Sequence, residues 1–204
     1  MNNTIYICGG GSSLKGFRFD LLKGLNVIAI NKALIYVPFA KYLFFNDYNF
    51  YKMLIPSKDR VPKDDNKLID TFNEFKGTSY TLAKRVTDKR IIVLKNTGVD
   101  GLELDKNGLR NGNNSGYGAI NLAYHLGATK IYLLGYDMKN IDNTSHFHSG
   151  YGETNTQYTY NKFMKPFDEL AKILKELNIE VINCSIDSAL NCFPKIDINE
   201  MPLV

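Results

Sequence analysis

The segment 145–153 holds the side chains best suited to catalysis. Two of the chain's three histidines, His146 and His148, stand there among serines and glycines. In this polar setting neither histidine is expected to pack in a hydrophobic core. An imidazole with its ordinary pKa of about 6.5 can take a proton from an attacking hydroxyl. The segment therefore predicts a general base for a transfer reaction.

Two other interpretations of this spacing stay open. His-x-His can place two metal ligands on one strand face, with Asp137, Asp142 or Glu153 as the nearest acidic candidate for a third. The segment can also be a plain surface loop. His125 differs, because it stands before Gly127 near a predicted helix end, where a positive charge complements the helix dipole. We expect His125 to be structural.

A second candidate functional feature lies near the start of the chain, where a glycine-rich turn follows an apolar strand. The turn consists of Gly9, Gly10, Gly11, Ser12 and Ser13. Glycine tolerates positive φ and has no Cβ, so consecutive amides can point at one spot and meet phosphate oxygens. Ser12 or Ser13 can cap a following helix, whose dipole adds to the attraction. The turn predicts an anion site, with a tight turn that binds nothing as the alternative.

The glycine turn departs from the two common phosphate-binding patterns. No Gly-Lys-Ser/Thr closes it, which separates it from the Walker loop. Leu14 stands where the dinucleotide pattern requires its third glycine. The turn alone is therefore weak evidence for a phosphate site, and the class of ligand must be predicted from the other residues at the same edge of the sheet.

The elements that must position these residues alternate between strands and helices. Six short apolar runs are predicted strands: 4–8, 25–30, 42–45, 90–94, 130–134 and 180–183. Several are apolar throughout, which is typical of a parallel sheet covered on both faces. The predicted fold is an α/β, Rossmann-like three-layer sandwich with a mostly parallel sheet, in a single domain over 1–204 with a small lid.

Two long helices are predicted in the second half of the chain. One begins at Asn114 and Ser115 and stops at Gly127, so a cap and a terminal glycine bracket an apolar stripe. The other covers 156–177, with apolar side chains on one face and Lys and Glu on the other. Both helices are expected to cover the sheet.

Three stretches are more loosely patterned. Residues 55–90 are predicted to be a connection with a short helix near 68–75, and 96–114 to contain a small hairpin. These stretches can form lids. Residues 138–155 are the candidate active-site loop.

Polar residues follow almost every predicted strand. After the glycine turn come Asn31, then Asn46 and Asp47, then Gly135 and Asp137, and finally Ser185 and Ser188. In an open parallel sheet, ligands bind beyond the carboxyl ends of the strands, near the point where the strand order reverses. Ser115 and Gly116 start a helix and offer a second anion site. This convergence predicts a nucleotide site, although each asparagine alone is typical of a turn or cap.

Composition narrows the class of protein. The 204 residues are 44% hydrophobic and carry a net charge of +4, with lysines scattered among acids, which disfavours a nucleic-acid binder. Cys8, Cys184 and Cys192 form no Cys-x-x-Cys pair and suggest buried thiols in a reducing compartment. No signal peptide is evident, and no apolar run approaches the roughly 20 residues that span a bilayer. We expect a cytoplasmic protein, with a phage protein in a host cytoplasm and a homo-oligomer left open.

Taken together, these motifs resemble the bacterial sialyltransferases of glycosyltransferase family 42. They resemble equally the phage and bacterial Rossmann-like proteins related to the archaeal 6-hydroxymethylpterin diphosphokinases. The resemblance spans nearly the whole chain in a constant order of motifs: 7–15, 30–32, 44–47, 115–119, 127–137, 145–147 and 183–190.

The sialyltransferase resemblance implies a role for each part of the site. It implies that the glycine turn and its serines hold the phosphate and ribose of a CMP-sugar, that two asparagines contact the nucleotide, and that a Ser-Gly helix start completes the pocket. These roles fall on Gly9, Gly10, Gly11, Ser12, Ser13, Asn31, Asn46, Ser115 and Gly116. The implied general base is His148 or His146, and the placement of one gap in the match favours His148.

The chain also departs from the sialyltransferase pattern. The family has a longer lid with tyrosines that steady the leaving phosphate, whereas 138–144 is short and contains no tyrosine. Tyr136, Tyr151 or Tyr158 is the candidate substitute.

The leading functional prediction is an inverting, metal-independent glycosyltransferase that uses a CMP-type nucleotide-sugar, with a histidine base, an unknown acceptor and no cofactor. Its first alternative is a diphosphokinase-like enzyme that uses ATP and Mg²⁺, with Asp47, Asp137 or Glu153 on the metal. The second alternative is a nucleotide-binding protein of phage origin that has lost catalysis.

Overall fold

The computed structural model describes residues 3–55, 63–148 and 155–203. Within these ranges the strands, numbered along the chain, are β1 Thr4–Cys8, β2 Val27–Ile30, β3 Tyr42–Phe45, β4 Thr78–Thr81, β5 Ile91–Val93, β6 Lys95–Gly98, β7 Gly108–Arg110, β8 Lys130–Leu134 and β9 Glu180–Asn183. Seven of them form one sheet in the order β5-β4-β3-β2-β1-β8-β9. Every neighbouring pair in this sheet is parallel, so the predicted parallel sheet is confirmed.

The strand order reverses between β1 and β8. From β1 the chain fills the sheet outward to β5, and it then adds β8 and β9 on the other side of β1. β1 and β8 pair along their whole length, with Cys8 opposite Leu134. The glycine turn after β1 and residues 135–137 after β8 therefore leave the sheet side by side. This is the position at which open α/β sheets bind ligands.

The helices of the described ranges are α1 Tyr48–Leu54, α2 Lys63–Glu74, α3 Ser115–His125, α4 Gln157–Met164 and α5 Phe167–Glu176. The prediction for α3 is confirmed. The side chain of Asn114 accepts the N–H of Tyr117 at its start, and Gly127, with φ of +79°, follows its end. None of the described helices has the length and apolar character needed to cross a membrane.

Alternating residues of β1 enter two hydrophobic cores, one on each face of the sheet. Ile5 and Ile7 belong to the core that contains α3 and α5. Tyr6 and Cys8 belong to the core that contains α1 and α2. All four side chains are buried, because β1 lies in the middle of the sheet with helices on both sides. The predicted three-layer sandwich is confirmed.

The predicted burial of the cysteines is confirmed for Cys8 and Cys184, while Cys192 is half-buried. All three are free thiols. Burial raises the pKa of each to about 12. These thiols are therefore protonated at neutral pH and lack the thiolate that nucleophilic chemistry requires.

The single helix predicted over 156–177 is wrong, because the structure has α4 and α5 there. Pro166 lies between them and immediately precedes α5. Proline has no N–H to donate and its ring clashes with the preceding turn, so the helix is interrupted. Asp168 and Glu169 then occupy the first turn of α5, where acidic side chains favour the helix dipole.

The hairpin predicted within 96–114 is also wrong, because β6 and β7 pair in parallel as a separate two-stranded sheet. The fully buried side chain of Asn121 in α3 organises the segment between them. Its Oδ1 accepts the N–H groups of Glu103 and Arg110, both at 2.9 Å, and its Nδ2 donates to the carbonyl of Glu103. The path of this segment therefore depends on a contact with a helix and not on a local turn.

The connection predicted over 55–90 contains more regular structure than expected. α2 is longer than the short helix predicted near 68–75, and β4 was not predicted. Thr78–Thr81 has the sequence Thr-Ser-Tyr-Thr and lacks the apolar run that marks a buried strand. Its pairing with β3 and β5 makes it a strand.

Candidate active site

A cavity of about 500 Å³ lies at the carboxyl edge of the sheet, beside the β1–β8 reversal point. It brings together most of the site residues predicted from the sequence: Gly9, Gly10, Gly11, Asn31, Asn46, Asp47, Ser115, Gly116, Gly135, Asp137 and His146. The exceptions are Ser12, Ser13 and His148, which are not among the described residues that line it. A volume of this size suits a small organic ligand.

Ser12 and Ser13 fasten the glycine turn to the rest of the protein. The hydroxyl of Ser12 donates to the carbonyl of Thr144 at 2.8 Å, and the hydroxyl of Ser13 donates to Asp137. The helix predicted after the turn is only a 3₁₀ turn, Ser12–Leu14, and no side chain caps it. The expectation that Ser12 or Ser13 caps a helix is therefore wrong.

Asp137 ties three loops together. Its carboxylate is 2% exposed and accepts the N–H of Ser13 and the hydroxyl of Ser185, each at 2.8 Å, in addition to the hydroxyl of Ser13. A Cβ on Gly11 would lie 2.6 Å from Oδ2 of Asp137 and from the carbonyl oxygen of Gly135. Glycine at position 11 is thus required by the close approach of this carboxylate.

Of the three glycine N–H groups in the turn, two donate to carbonyls at or just after the end of β8 and one does not. The N–H of Gly9 donates to the carbonyl of Leu134 at 2.8 Å, and that of Gly11 donates to Gly135 at 3.0 Å. The N–H of Gly10 has no acceptor among the described residues. An anion bound at this turn can therefore accept a hydrogen bond from the N–H of Gly10.

The start of α3 supplies further amides on the same cavity. The N–H groups of Ser115 and Gly116 have no acceptor among the described residues, as expected in the first turn of a helix. Asn114 already satisfies the next N–H, that of Tyr117. The helix dipole and these amides favour negative charge at this wall.

Asn31 and Asn46 each carry a buried side-chain oxygen without a hydrogen-bond partner in the described structure. Both residues line the cavity. Asn31 has φ of +52°, a left-handed conformation that few residues other than glycine adopt. A buried, unpartnered acceptor is destabilising, so these oxygens favour a ligand that brings N–H or O–H donors.

His146 and His148 stack on each other over the glycine turn. Their ring centroids are 5.4 Å apart with an interplanar angle of 10°. A Cβ on Gly10 would lie 3.1 Å from Nδ1 of His146 and 3.3 Å from Nε2 of His148. Of the two rings, His146 lines the cavity, whereas His148 lies against Tyr36 and Phe147.

The surroundings of His146 favour a neutral ring with Nε2 as the basic atom. Nδ1 lies 3.3 Å from the carbonyl oxygen of Gly10, which can only accept, so Nδ1 carries the proton. Burial lowers the pKa of His146, while the Gly10 carbonyl and the charge of Asp137 act in the opposite direction. A neutral imidazole at neutral pH is the form that can act as a base.

The carboxylates predicted as metal ligands are engaged or lie elsewhere. Asp47 caps α1 by accepting the N–H of Phe50 at 2.9 Å, and Asp137 holds the loops described above. Asp142 is exposed, and Glu153 lies outside the described residues. In the described ranges no three His, Cys, Asp or Glu side chains cluster in a way that suits a metal ion.

The tyrosines considered as substitutes for the lid have different placements. The hydroxyl of Tyr136 donates to the carbonyl of Gly116 at 2.9 Å. Tyr158 is 80% exposed, and Tyr151 lies outside the described residues. Tyr160 lines the cavity instead, with its hydroxyl donating to Asn140 at 3.1 Å.

The cavity wall also contains residues to which the sequence analysis gave no individual role in the site. Met138, Lys139, Ser145 and Asn155 lie in the predicted active-site loop 138–155, and the others are Asn113, Asn114, Tyr160 and Phe163. Lys139 is the one lysine in the sequence of the predicted loop 138–155, but no motif gave it a role. Tyr160 and Phe163 lie on α4, where helical periodicity predicts a core face. Their position at the cavity follows from the break before α5.

Comparison with known proteins addresses the fold. No protein-family model and no curated protein matches the sequence. A similar solved structure is that of the sialyltransferase CstII from Campylobacter jejuni in complex with a substrate analogue, CMP-3FNeuAc. It is 16% identical, with a TM-score of 0.50, over 95% of this chain and 86% of that one. At this identity the similarity shows a shared α/β fold.

Proposed function

We propose that this chain is a nucleotide-sugar glycosyltransferase, of the inverting and metal-independent kind, that uses a CMP-type donor. The observation that carries the proposal is the combination, in one cavity, of unpaired amides for an anion with a histidine whose pKa is lowered. The structural neighbour was solved with the substrate analogue CMP-3FNeuAc, which supports the choice of donor.

The proposed reaction is a single displacement. Nε2 of His146 takes the proton of an acceptor hydroxyl, and the hydroxyl oxygen forms a bond to the anomeric carbon of the donor. The bond from that carbon to the phosphate oxygen breaks, its electron pair stays on the oxygen, and CMP leaves. Attack opposite the leaving group inverts the anomeric configuration.

His146 is preferred as the base because it lines the cavity. His148, which the sequence resemblance favoured, is assigned to positioning, since its ring lies between His146 and Tyr36. Asn31 and Asn46 are proposed to accept N–H groups of the base, such as an exocyclic amine.

The phosphate is proposed to lie between the amides of Gly10 and of the α3 start. These fixed donors stabilise charge on the leaving group without rearrangement. Asp137 contributes by holding the turn in place rather than by contacting the ligand.

Thermal denaturation with added nucleotides tests the proposal. A ligand that binds only the folded state raises the melting temperature by mass action. CMP is expected to stabilise the protein more than UDP or ATP, with and without a chelator of divalent cations. Failure of all cytidine, uridine and adenosine nucleotides at millimolar concentration contradicts the proposal, and stabilisation by ATP only with Mg²⁺ replaces it with the diphosphokinase-like alternative.

A further inference from the structure

We propose that Lys139 supplies the positive charge that pairs with the phosphate of the ligand, an inference that rests on the proposed function. Lys139 lies on the cavity wall and is half-buried. Among the described residues that form this wall it is the one lysine, and no arginine accompanies it. Lys139 is therefore the candidate cation among the described residues of this wall.

The backbone around Lys139 is held on both sides. Asp137 is fixed by Ser13 and Ser185, as described above. Asn140 accepts the hydroxyls of Ser145 at 2.7 Å and Tyr160 at 3.1 Å through its Oδ1. The backbone at Lys139 is thus positioned by the hydrogen bonds of Asp137 on one side and Asn140 on the other.

Met138, the residue between Asp137 and Lys139, has φ of +50°. A methionine in the left-handed region is uncommon, because its Cβ crowds the backbone there. Such local strain persists where the surrounding contacts enforce it, and it concentrates at functional sites. Here it turns the chain immediately before the lysine.

Lys139 makes no ion pair with any acidic group in the described parts of the chain. The two carboxylates on the same wall are engaged elsewhere, Asp137 with three donors and Asp47 with the start of α1. A half-buried cation without a counterion attracts an anionic ligand. Gly10 and Gly116 line the same cavity, and their N–H groups are the donors proposed above for the phosphate.

The chemical consequence concerns the bond-breaking step. As the bond between the anomeric carbon and the phosphate oxygen breaks, the electron pair remains on the oxygen and its negative charge grows. The Lys139 side chain offsets this charge by its positive charge. Positive charge placed where negative charge develops lowers the barrier of the step.

Binding of CMP and of cytidine by titration calorimetry, with wild type and Lys139→Met, tests the inference. The two probes differ by the phosphate alone. Charge-assisted hydrogen bonds give roughly 10- to 100-fold in affinity, so Lys139→Met is expected to weaken CMP binding by that factor and leave cytidine binding unchanged. Lys139→Arg should retain most of the CMP affinity, and Lys172→Met, at an exposed position on α5, serves as control.

The outcomes separate this inference from the proposed function. If wild type binds CMP and Lys139→Met keeps the same ratio of CMP to cytidine affinity, the Lys139 assignment is overturned while the proposed function survives. If wild type binds neither probe, the proposed function fails, and inorganic phosphate decides the inference. Phosphate binding that is lost in Lys139→Met supports it, and phosphate binding that is absent or unaffected overturns it.

Discussion

The backbone N–H of Ser13 donates to the carboxylate of Asp137, 124 residues further along the chain, at 2.8 Å. The hydroxyls of Ser13 and Ser185 donate to the same carboxylate. One buried side chain thus joins the loops that follow β1, β8 and β9. The cavity wall at the reversal point of the sheet depends on this junction.

Replacement of Asp137 is expected to destabilise the protein strongly. Asp137→Ala removes the acceptor of three donors, of which the hydroxyls of Ser13 and Ser185 can then bond only each other. This should lower the free energy of unfolding by about 2–4 kcal/mol. Asp137→Asn should be destabilising too, because its amide N–H cannot accept from Ser13. Urea denaturation measures both variants against Asp187→Ala, an exposed position where a change within about 0.5 kcal/mol is expected. Equal stability of Asp137→Ala and the control would refute the role of the junction.

Two neighbouring glycines are expected to respond differently to alanine. In Gly11→Ala the new methyl group meets a carboxylate oxygen and a backbone carbonyl at 2.6 Å, so we expect a stability loss of about 1–3 kcal/mol. In Gly10→Ala it meets the histidine rings at 3.1 and 3.3 Å, so the rings shift and catalysis suffers more than stability. Melting temperature and turnover of a CMP-sugar compare the two variants. The reverse ranking would show that the histidines do not rest on Gly10.

Two substitutions of Asn31 distinguish its role in ligand binding from the cost of its left-handed backbone. Asn31→Gly removes the unpartnered oxygen but suits the left-handed conformation, so nucleotide affinity should fall while stability holds. Asn31→Ala removes the same oxygen and should be about 1 kcal/mol less stable than Asn31→Gly. Calorimetric titration with CMP, together with urea denaturation, measures both effects. Undiminished CMP binding by Asn31→Gly would exclude the asparagine from the nucleotide site.

His146 is expected to carry the catalytic proton transfer. His146→Asn retains an N–H near the Gly10 carbonyl but lacks Nε2, so turnover should fall by about 10²- to 10⁴-fold, the usual contribution of a general base. His148→Asn is the matched control, and a smaller loss is expected because His148 lies behind His146. Release of CMP from a CMP-sugar measures both rates. A larger loss in His148→Asn would move the base to His148.

The lowered pKa of His146 predicts a pH dependence of stability. As the pH falls below about 6.5, the unfolded chain takes up the proton before the folded protein does. The stability associated with neutral His146 is therefore complete above about pH 6.5 and is lost as the pH falls through the lowered folded-state pKa. Unfolding free energies of wild type and His146→Asn between about pH 5 and pH 8 test this. Parallel curves for the two proteins would show that His146 titrates normally.

Local sequence patterns were sufficient for the central elements of the fold. β1 and β8 contain continuous apolar runs, and α3 has a cap, an apolar stripe and a following glycine close together in the sequence. β4 and the parallel β6–β7 pair have no such signal. Thr78–Thr81 becomes a strand through its neighbours, and the path between β6 and β7 depends on Asn121 in a later helix. Prediction fails where pairing partners, rather than the residues themselves, set the conformation.

The sequence by itself determined most of the residues that meet at the sheet edge, because parallel strands bring their carboxyl ends together and polar side chains follow them. Only the tertiary structure decided what each residue does there. It directs Ser12, Ser13 and Asp137 into internal hydrogen bonds, places His146 rather than His148 on the cavity wall, and adds Lys139. The hydrogen bonds of Ser12, Ser13 and Asp137 join residues more than 100 positions apart, which no local pattern records.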